Sequence, residues 1–162
     1  VLTQAPEEDE AVLAANLGAN GDYADLLSVP AGGSENPVTH ELLDERANYI
    51  RMSGREVFKL AVNAMAEAAE KVMNDTGLGV DDIRWLVPHQ ANTRIIHAVG
   101  KKLGFDPDSV FINLNKYGNT SAATIPIAID EIVSGDMIKK GEYMLLVAFG
   151  GGLTWGAALI RW

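Results

Sequence analysis

The sequence predicts an α/β domain built on a single sheet, and three observations lead there. From Gly54 onward, segments with helical apolar spacing alternate with short runs rich in Val, Ile, Leu and aromatic residues. Two polar frames, Val87-Pro88-His89-Gln90-Ala91-Asn92 and Tyr117-Gly118-Asn119-Thr120-Ser121-Ala122-Ala123, each fall where an apolar segment gives way to a turn and then a helix. Open α/β folds place their chemistry at such junctions. The segment from about Ser121 to Ser134 is apolar around nearly its whole circumference. A helix of that kind needs cover on every side.

Taken in order, Val1-Leu2-Thr3 reads as the end of a strand, followed by the solvated acidic run Glu7–Glu10. Ala11–Asn20 has strand character and ends in the turn-prone Asn20-Gly21-Asp22. Asp22 to Arg51 shows no sustained period and reads as a long surface excursion, with a short helix expected near His40–Ala47. Gly54 to Thr76 is the clearest helix, its apolar residues Val57, Leu60, Ala61, Ala64, Met65, Ala68, Val72 and Met73 spaced by three and four, with Gly77 placed to end it. Ile83–Val87 is a strand stopped by Pro88. A second amphipathic helix is expected from about Asn92 to Leu103, burying Ile95, Ile96, Val99 and Leu103 and capped by Gly104. Val110–Leu114 reads as the next strand. The all-apolar helix follows, with Pro126 tolerated near its start. Tyr143–Phe149 and Leu153–Trp162 read as adjacent antiparallel strands turning at Gly150-Gly151-Gly152. One sheet covers one face of the apolar helix, so a second layer outside this chain is expected.

A length of 162 residues, 48% of them hydrophobic, suffices for one domain with a substantial core. No apolar stretch reaches membrane-spanning length, and no signal peptide is evident at the N-terminus. With no cysteine, disulfides and thiolate metal sites are excluded, and the cytosol is the default compartment. The net charge of −9 belongs to the first fifty residues. There Glu7, Glu8, Asp9, Glu10, Asp22, Asp25, Glu35, Glu41, Asp44 and Glu45 face a single base, Arg46, and the remainder sums to zero. Nucleic-acid binding has little support from this distribution.

The two frames and the glycine run offer hydrogen-bond donors and a flexible backbone. That combination suits holding a carbonyl oxygen as it gains negative charge. Each feature alone has a plainer explanation. His89 could close a strand with a satisfied hydrogen bond, and Asn119 could serve a turn or cap the following helix. The glycines could be a hairpin turn, and Phe149 could be core packing.

Met52-Ser53-Gly54-Arg55-Glu56-Val57-Phe58-Lys59, the His89 frame, Gly118-Asn119-Thr120-Ser121-Ala122-Ala123 and Phe149-Gly150-Gly151-Gly152-Leu153-Thr154-Trp155-Gly156 together resemble the motifs of β-ketoacyl-acyl-carrier-protein synthase III, a thiolase-fold condensing enzyme, in its order and spacing. The resemblance runs from about Ala14 to Trp162 and covers only the C-terminal half of such an enzyme. It implies that residues 1–13 are the end of the preceding half and an acidic linker. Residues 14–162 would then be a C-terminal thiolase-like domain with a variable excursion at 22–51. It also implies an αβαβα sandwich with a mixed sheet, whose fully buried middle layer takes one helix from each half. The family's nucleophilic cysteine belongs to the other half, so this chain alone is expected to be unable to condense.

By that resemblance, a decarboxylating Claisen condensation joins an acyl-CoA to malonyl-acyl carrier protein at the start of fatty-acid synthesis. His89 and Asn119 would donate hydrogen bonds to the malonyl thioester oxygen, with the other imidazole nitrogen fixed by a neighbouring group. The Gly151 amide would be half of an oxyanion hole. Phe149 would exclude water beside the nucleophile, favouring loss of the carboxylate. Gly54, Phe58, Ala91 and Asn92 would line the coenzyme A channel. Lys59, Arg94, Lys101 and Lys102 would meet the acidic carrier protein, the alternative for each being a solvated helix charge. No metal or cofactor is implied, and the expected partners are acyl-CoA, acyl carrier protein, the missing N-terminal half and a second copy in a homodimer. A second catalytic cysteine, as in thiolases, is lacking, and Asn119 stands where chain-elongating relatives have a second histidine. Two other readings stay open: a non-catalytic, self-associating interaction domain, and the same half of a polyketide- or quinolone-type ketosynthase.

Overall fold

Strands from both ends of the domain meet in one mixed sheet, and different helices cover its two faces. The structure, a computed structural model, describes residues 11–162. The strand end expected at Val1-Leu2-Thr3 and the acidic run Glu7–Glu10 lie outside the described residues. β1 (Val12–Ala19) is followed by a 3₁₀ turn, Gly21–Leu26, capped by Asn20, which accepts the Asp22 amide. The segment without sustained period is closed at its base by a short antiparallel ladder between β2 (Leu27–Ser28) and β3 (Arg51–Met52). The Ser53 amide donates to Leu26 O at 2.9 Å beside it. Within it stands α1 (His40–Asp44), with Thr39 as its cap.

α2 (Gly54–Thr76) takes the predicted boundaries and ends at Gly77 with φ of 71°, the left-handed conformation that glycine adopts without steric cost. β4 (Ile83–Pro88), α3 (Thr93–Leu103) and, later, α5 (Thr124–Ser134), β5 (Tyr143–Gly150) and β6 (Thr154–Arg161) complete the frame. The sheet order is β1-β6-β5-β4. β4 and β5 are parallel, whereas β6 runs antiparallel to both β5 and β1.

Alternation along the strands divides the core. Leu86, Leu145, Val147, Ala157 and Leu159 face α2 and α3, joining Met65, Val72, Ile96 and Val99. Trp85, Val87 and Met144 face the other way, joining Phe111, Ala128, Ile132 and Ile138 under α5. Ile83 shares the face of Leu86 because the β4 register shifts between Ile83 and Trp85. Full burial of a side chain such as Leu86 or Met65 stabilises the fold by about 1.5–3 kcal/mol.

Three expectations are corrected. Val110–Leu114 is not a strand: a single parallel bridge joins Val110 to Leu86, and the chain then turns into a short helix, α4 (Leu114–Tyr117). Pro88 is the cause, since the next ladder bond in this register would need its amide and proline has none. The helix expected from Ser121 begins as a 3₁₀ turn at Ser121–Ala123 and becomes α5 only at Thr124. Within this chain that helix is covered on one side, as the expected second layer outside the chain implies. Thr124, Ala128 and Ile132 are buried, but Ile125, Ile127, Ile129 and Val133 are half-buried, and Ala122 and Ala123 are exposed. Among the described residues, one face of the sheet is the layer that covers it. Ile95, expected in the core, is half-buried.

Candidate functional site

The functional frames gather at the ends of β4 and β5. His89 leaves β4 with its amide donating to Val147 O of β5 at 2.7 Å, and its carbonyl accepts from Ala91 N at 2.9 Å. This tight turn delivers the chain to Asn92, whose side chain caps α3 by accepting the Arg94 amide at 2.9 Å. On the other side, α4 ends at Gly118 with φ of 70°, which swings the chain so that Asn119 starts a new turn. Asn119 Oδ1 accepts from Ser121 N at 3.3 Å. The carboxamide oxygen is thereby engaged, and the Nδ2 hydrogens remain for a ligand. The turn role leaves room for a donor role in the same residue.

His89, Asn119, Phe149 and Gly151 line one groove of about 1030 Å³. Gly54, Phe58, Ala91, Asn92 and Arg94 form its wall toward α2 and α3, and Leu27, Val29, Ile50 and Met52 form its outer rim. Nine of the twelve residues expected from the sequence at catalytic and coenzyme A positions or on the basic patch, Arg94 among them, are thus brought together. Lys59, Lys101 and Lys102 stand outside the groove wall on exposed helix surface. Lys102 donates to Asn63 Oδ1 at 2.6 Å, bracing α3 against α2. The Arg94 guanidinium lies 5.6 Å from the centre of the Phe58 ring, a cation–π contact that holds it at the groove mouth.

Burial lowers the pKa of His89 below the usual histidine value, because desolvation penalises the cation. The imidazole is therefore neutral at neutral pH. Nδ1 is buried with no hydrogen-bond partner among the described residues. The neighbouring group expected to fix that nitrogen is not present among them. Phe149 and Gly150 form the last rungs of the β5–β6 hairpin, opposite Trp155 and Thr154. The glycine run is indeed a hairpin turn, braced by Thr154 Oγ1 donating to Gly151 O at 3.1 Å and by paired bonds between Asn20 and Leu153. Gly152, at φ of 138°, adopts a conformation L side chains rarely reach. Among the described residues, no cluster of three His, Asp or Glu side chains is placed to hold a metal ion. No helix among them is long and apolar enough to cross a membrane.

Sequence reasoning passed over two groups. Gln90, 1% exposed, uses its side chain to bond Pro88 O, Phe111 O and the amides of Asn113 and Leu114. A second polar residue, two positions after a strand-ending proline, was the available signal. Glu131 of α5 accepts from Tyr117 Oη at 2.6 Å and Lys116 Nζ at 3.0 Å, clamping α4 to α5. The Tyr117 hydrogen bond, seconded by Lys116, holds the Glu131 carboxyl below its ordinary range, and the same bond pushes the Tyr117 phenol up.

A mixed sheet with helices on both faces, one helix left partly uncovered, and a His–Asn pair over a long groove define the C-terminal half of a thiolase-like sandwich. The family model described as 3-oxoacyl-[acyl-carrier-protein (ACP)] synthase III C terminal matches residues 73–162, and the chain belongs to that family. It is 49% identical over 162 residues to a β-ketoacyl-[acyl-carrier-protein] synthase III from Roseiflexus castenholzii, covering all of this chain and 49% of the relative. Identity to the synthase of the same name from Chlamydia caviae is 53% over 146 residues, 90% of this chain and 44% of the relative. The crystal structure of 3-oxoacyl-[acyl-carrier-protein] synthase III from Aquifex aeolicus superposes with a TM-score of 0.85 at 40% identity, covering 98% of this chain and 47% of that one. The chain spans about half the length of the relatives it matches.

Proposed function

We propose that this chain is the C-terminal catalytic half of an acyltransferase that condenses an acyl-CoA with malonyl-acyl carrier protein, the step that initiates fatty-acid synthesis. The observation that carries this is the shared groove of His89, Asn119, Phe149 and Gly151. In this reading the neutral imidazole of His89 and the Nδ2 of Asn119 donate to the thioester oxygen of the malonyl group. As carbon dioxide leaves, the electron pair of the breaking bond moves onto the thioester as an enolate, and the charge falls on that oxygen. Phe149 excludes water from the departing carboxylate. The enolate carbon then attacks an acyl-cysteine supplied by a partner half, the Gly151 amide helps hold the tetrahedral oxyanion, and its collapse breaks the C–S bond, releasing the cysteine thiolate and the β-ketoacyl thioester. The groove wall at Gly54, Phe58, Ala91 and Asn92 takes the thioester arm. Arg94, with Lys59, Lys101 and Lys102, attracts the acidic carrier protein. We place the enzyme in the cytoplasm as a homodimer with no resident cofactor.

Asn119→Ala, in an enzyme carrying both halves, is expected to lower malonyl decarboxylation by about 10²–10³-fold. An unchanged rate of carbon dioxide release overturns the donor assignment. The chain by itself has no cysteine, so incubation with radiolabelled acetyl-CoA is expected to leave it unlabelled. A second reading, self-association without catalysis, draws on the open apolar side of α5 and the adjoining sheet face lined by Ala15, Leu17, Leu146 and Ala158. Sedimentation of the separate chain decides it: a species that stays monomeric at high concentration removes this alternative.

A further inference from the structure

We propose that Gln90 is the positioning residue that sets the spacing between the His89 imidazole and the Asn119 carboxamide. The proposal rests on the reading of those two side chains as donors to one oxygen. Phe111 N donates to Leu86 O at 2.9 Å, the first bond of a parallel ladder between β4 and the segment that follows Val110. The next bond in that ladder belongs to the amide of residue 88, and Pro88 has no N–H. A side chain supplies it instead: Gln90 Nε2 donates to Phe111 O at 3.2 Å and to Pro88 O at 2.8 Å. Gln90 Oε1 accepts from Asn113 N at 3.0 Å and Leu114 N at 3.2 Å. Both donors and both acceptor positions of the carboxamide are thereby used.

The backbone completes the arrangement. Gln90 N donates to Thr124 Oγ1 at 2.7 Å. Leu114 and Thr124 are the two ends of the segment that carries Asn119, and both are tied to Gln90. Gln90 also follows His89 directly in the chain, so one residue references both donors. Gln90 is 1% exposed and Thr124 4%, and burial of that depth makes each bond costly to leave unmade. Gln90 does not line the groove. Its effect on chemistry passes through its neighbours.

The test uses the enzyme with both halves and two readouts: carbon dioxide release from malonyl-CoA, and acyl transfer from radiolabelled acetyl-CoA to protein. Gln90→Met keeps the length of the side chain and removes its four bonds. Since donor misplacement of about 1 Å costs up to about 10²-fold, kcat for carbon dioxide release is expected to fall about 10–100-fold, with KM and acyl transfer each held within about threefold. Thr124→Val removes the acceptor for Gln90 N and is expected to lower carbon dioxide release, while Thr124→Ser keeps a hydroxyl and restores it. A parallel fall in both half-reactions, an undiminished kcat in Gln90→Met, or Thr124→Ser and Thr124→Val behaving alike overturns the proposal. Should Gln90→Met fail to fold, the Thr124 pair decides alone. If Asn119→Ala leaves carbon dioxide release intact, the donor reading itself fails. If Asn119→Ala abolishes release and Gln90→Met does not, only the positioning role is lost.

Discussion

Gly100 lies inside α3, where glycine is a poorer helix former than alanine by about 1 kcal/mol, and Val110 explains its presence. A Cβ at Gly100 would sit 2.8 Å from Val110 Cγ2. Gly100→Ala is therefore expected to destabilise by about 1–3 kcal/mol through overpacking, against the direction helix propensity alone predicts. Urea unfolding reads the sign, and a raised midpoint would remove the explanation. His89 acts at the same scale through pH. Its folded pKa is lowered by burial, so near and below the unfolded value the unfolded chain binds a proton that the folded chain resists. Stability is expected to decline as pH falls from about 6.5 toward the folded pKa, and His89→Gln to lessen that decline in unfolding curves taken at the two ends of the window. His89, Asn119 and the glycine turn were legible in the sequence because each sits in a short polar frame between apolar runs. Gln90 was not, because its importance lies in an amide that Pro88 lacks, and a missing donor shows only when the neighbouring strand is in place.

At the scale of elements, α2 and α3 could be read nearly to the residue, since a sustained helical period ends at Gly77 and Gly104, both left-handed in the structure. Val110–Leu114 could not: Val-Phe-Ile-Asn-Leu has strand composition, yet its partner strand ends in proline and the chain curls into α4 after one bridge. The strands β2 and β3 escaped notice because two residues are too few to set a period. α5 was identified as apolar on all sides, and the structure separates those sides. Ile132 is fully buried in the cluster beneath the helix, while Ile127 packs against neither core cluster. Ile132→Ala is expected to cost about 2–5 kcal/mol in the separate chain. Ile127→Ala is expected to cost far less there and substantially more once a partner half covers the helix. Equal costs for Ile127→Ala in both settings, measured by denaturant unfolding, would argue against a covering layer.

The molecule as a whole joins an organised groove to an unfinished exterior. Bonds internal to this chain tie the turn after β4 to the segment that carries Asn119. The apolar flank of α5 and the bare strip of sheet do, and they mark where a second sandwich half would seat. β1 adds a constraint of a different kind. Its rungs run from Val12 opposite Ile160 to Ala19 opposite Thr154, and β6 is the last described strand to leave the ribosome. Among the described strands β1 pairs only with β6, so this edge of the sheet closes only once the β5–β6 hairpin has been made. Pairings between residues so distant in sequence form slowly. During that interval the half-assembled sheet is the species most in need of a chaperone.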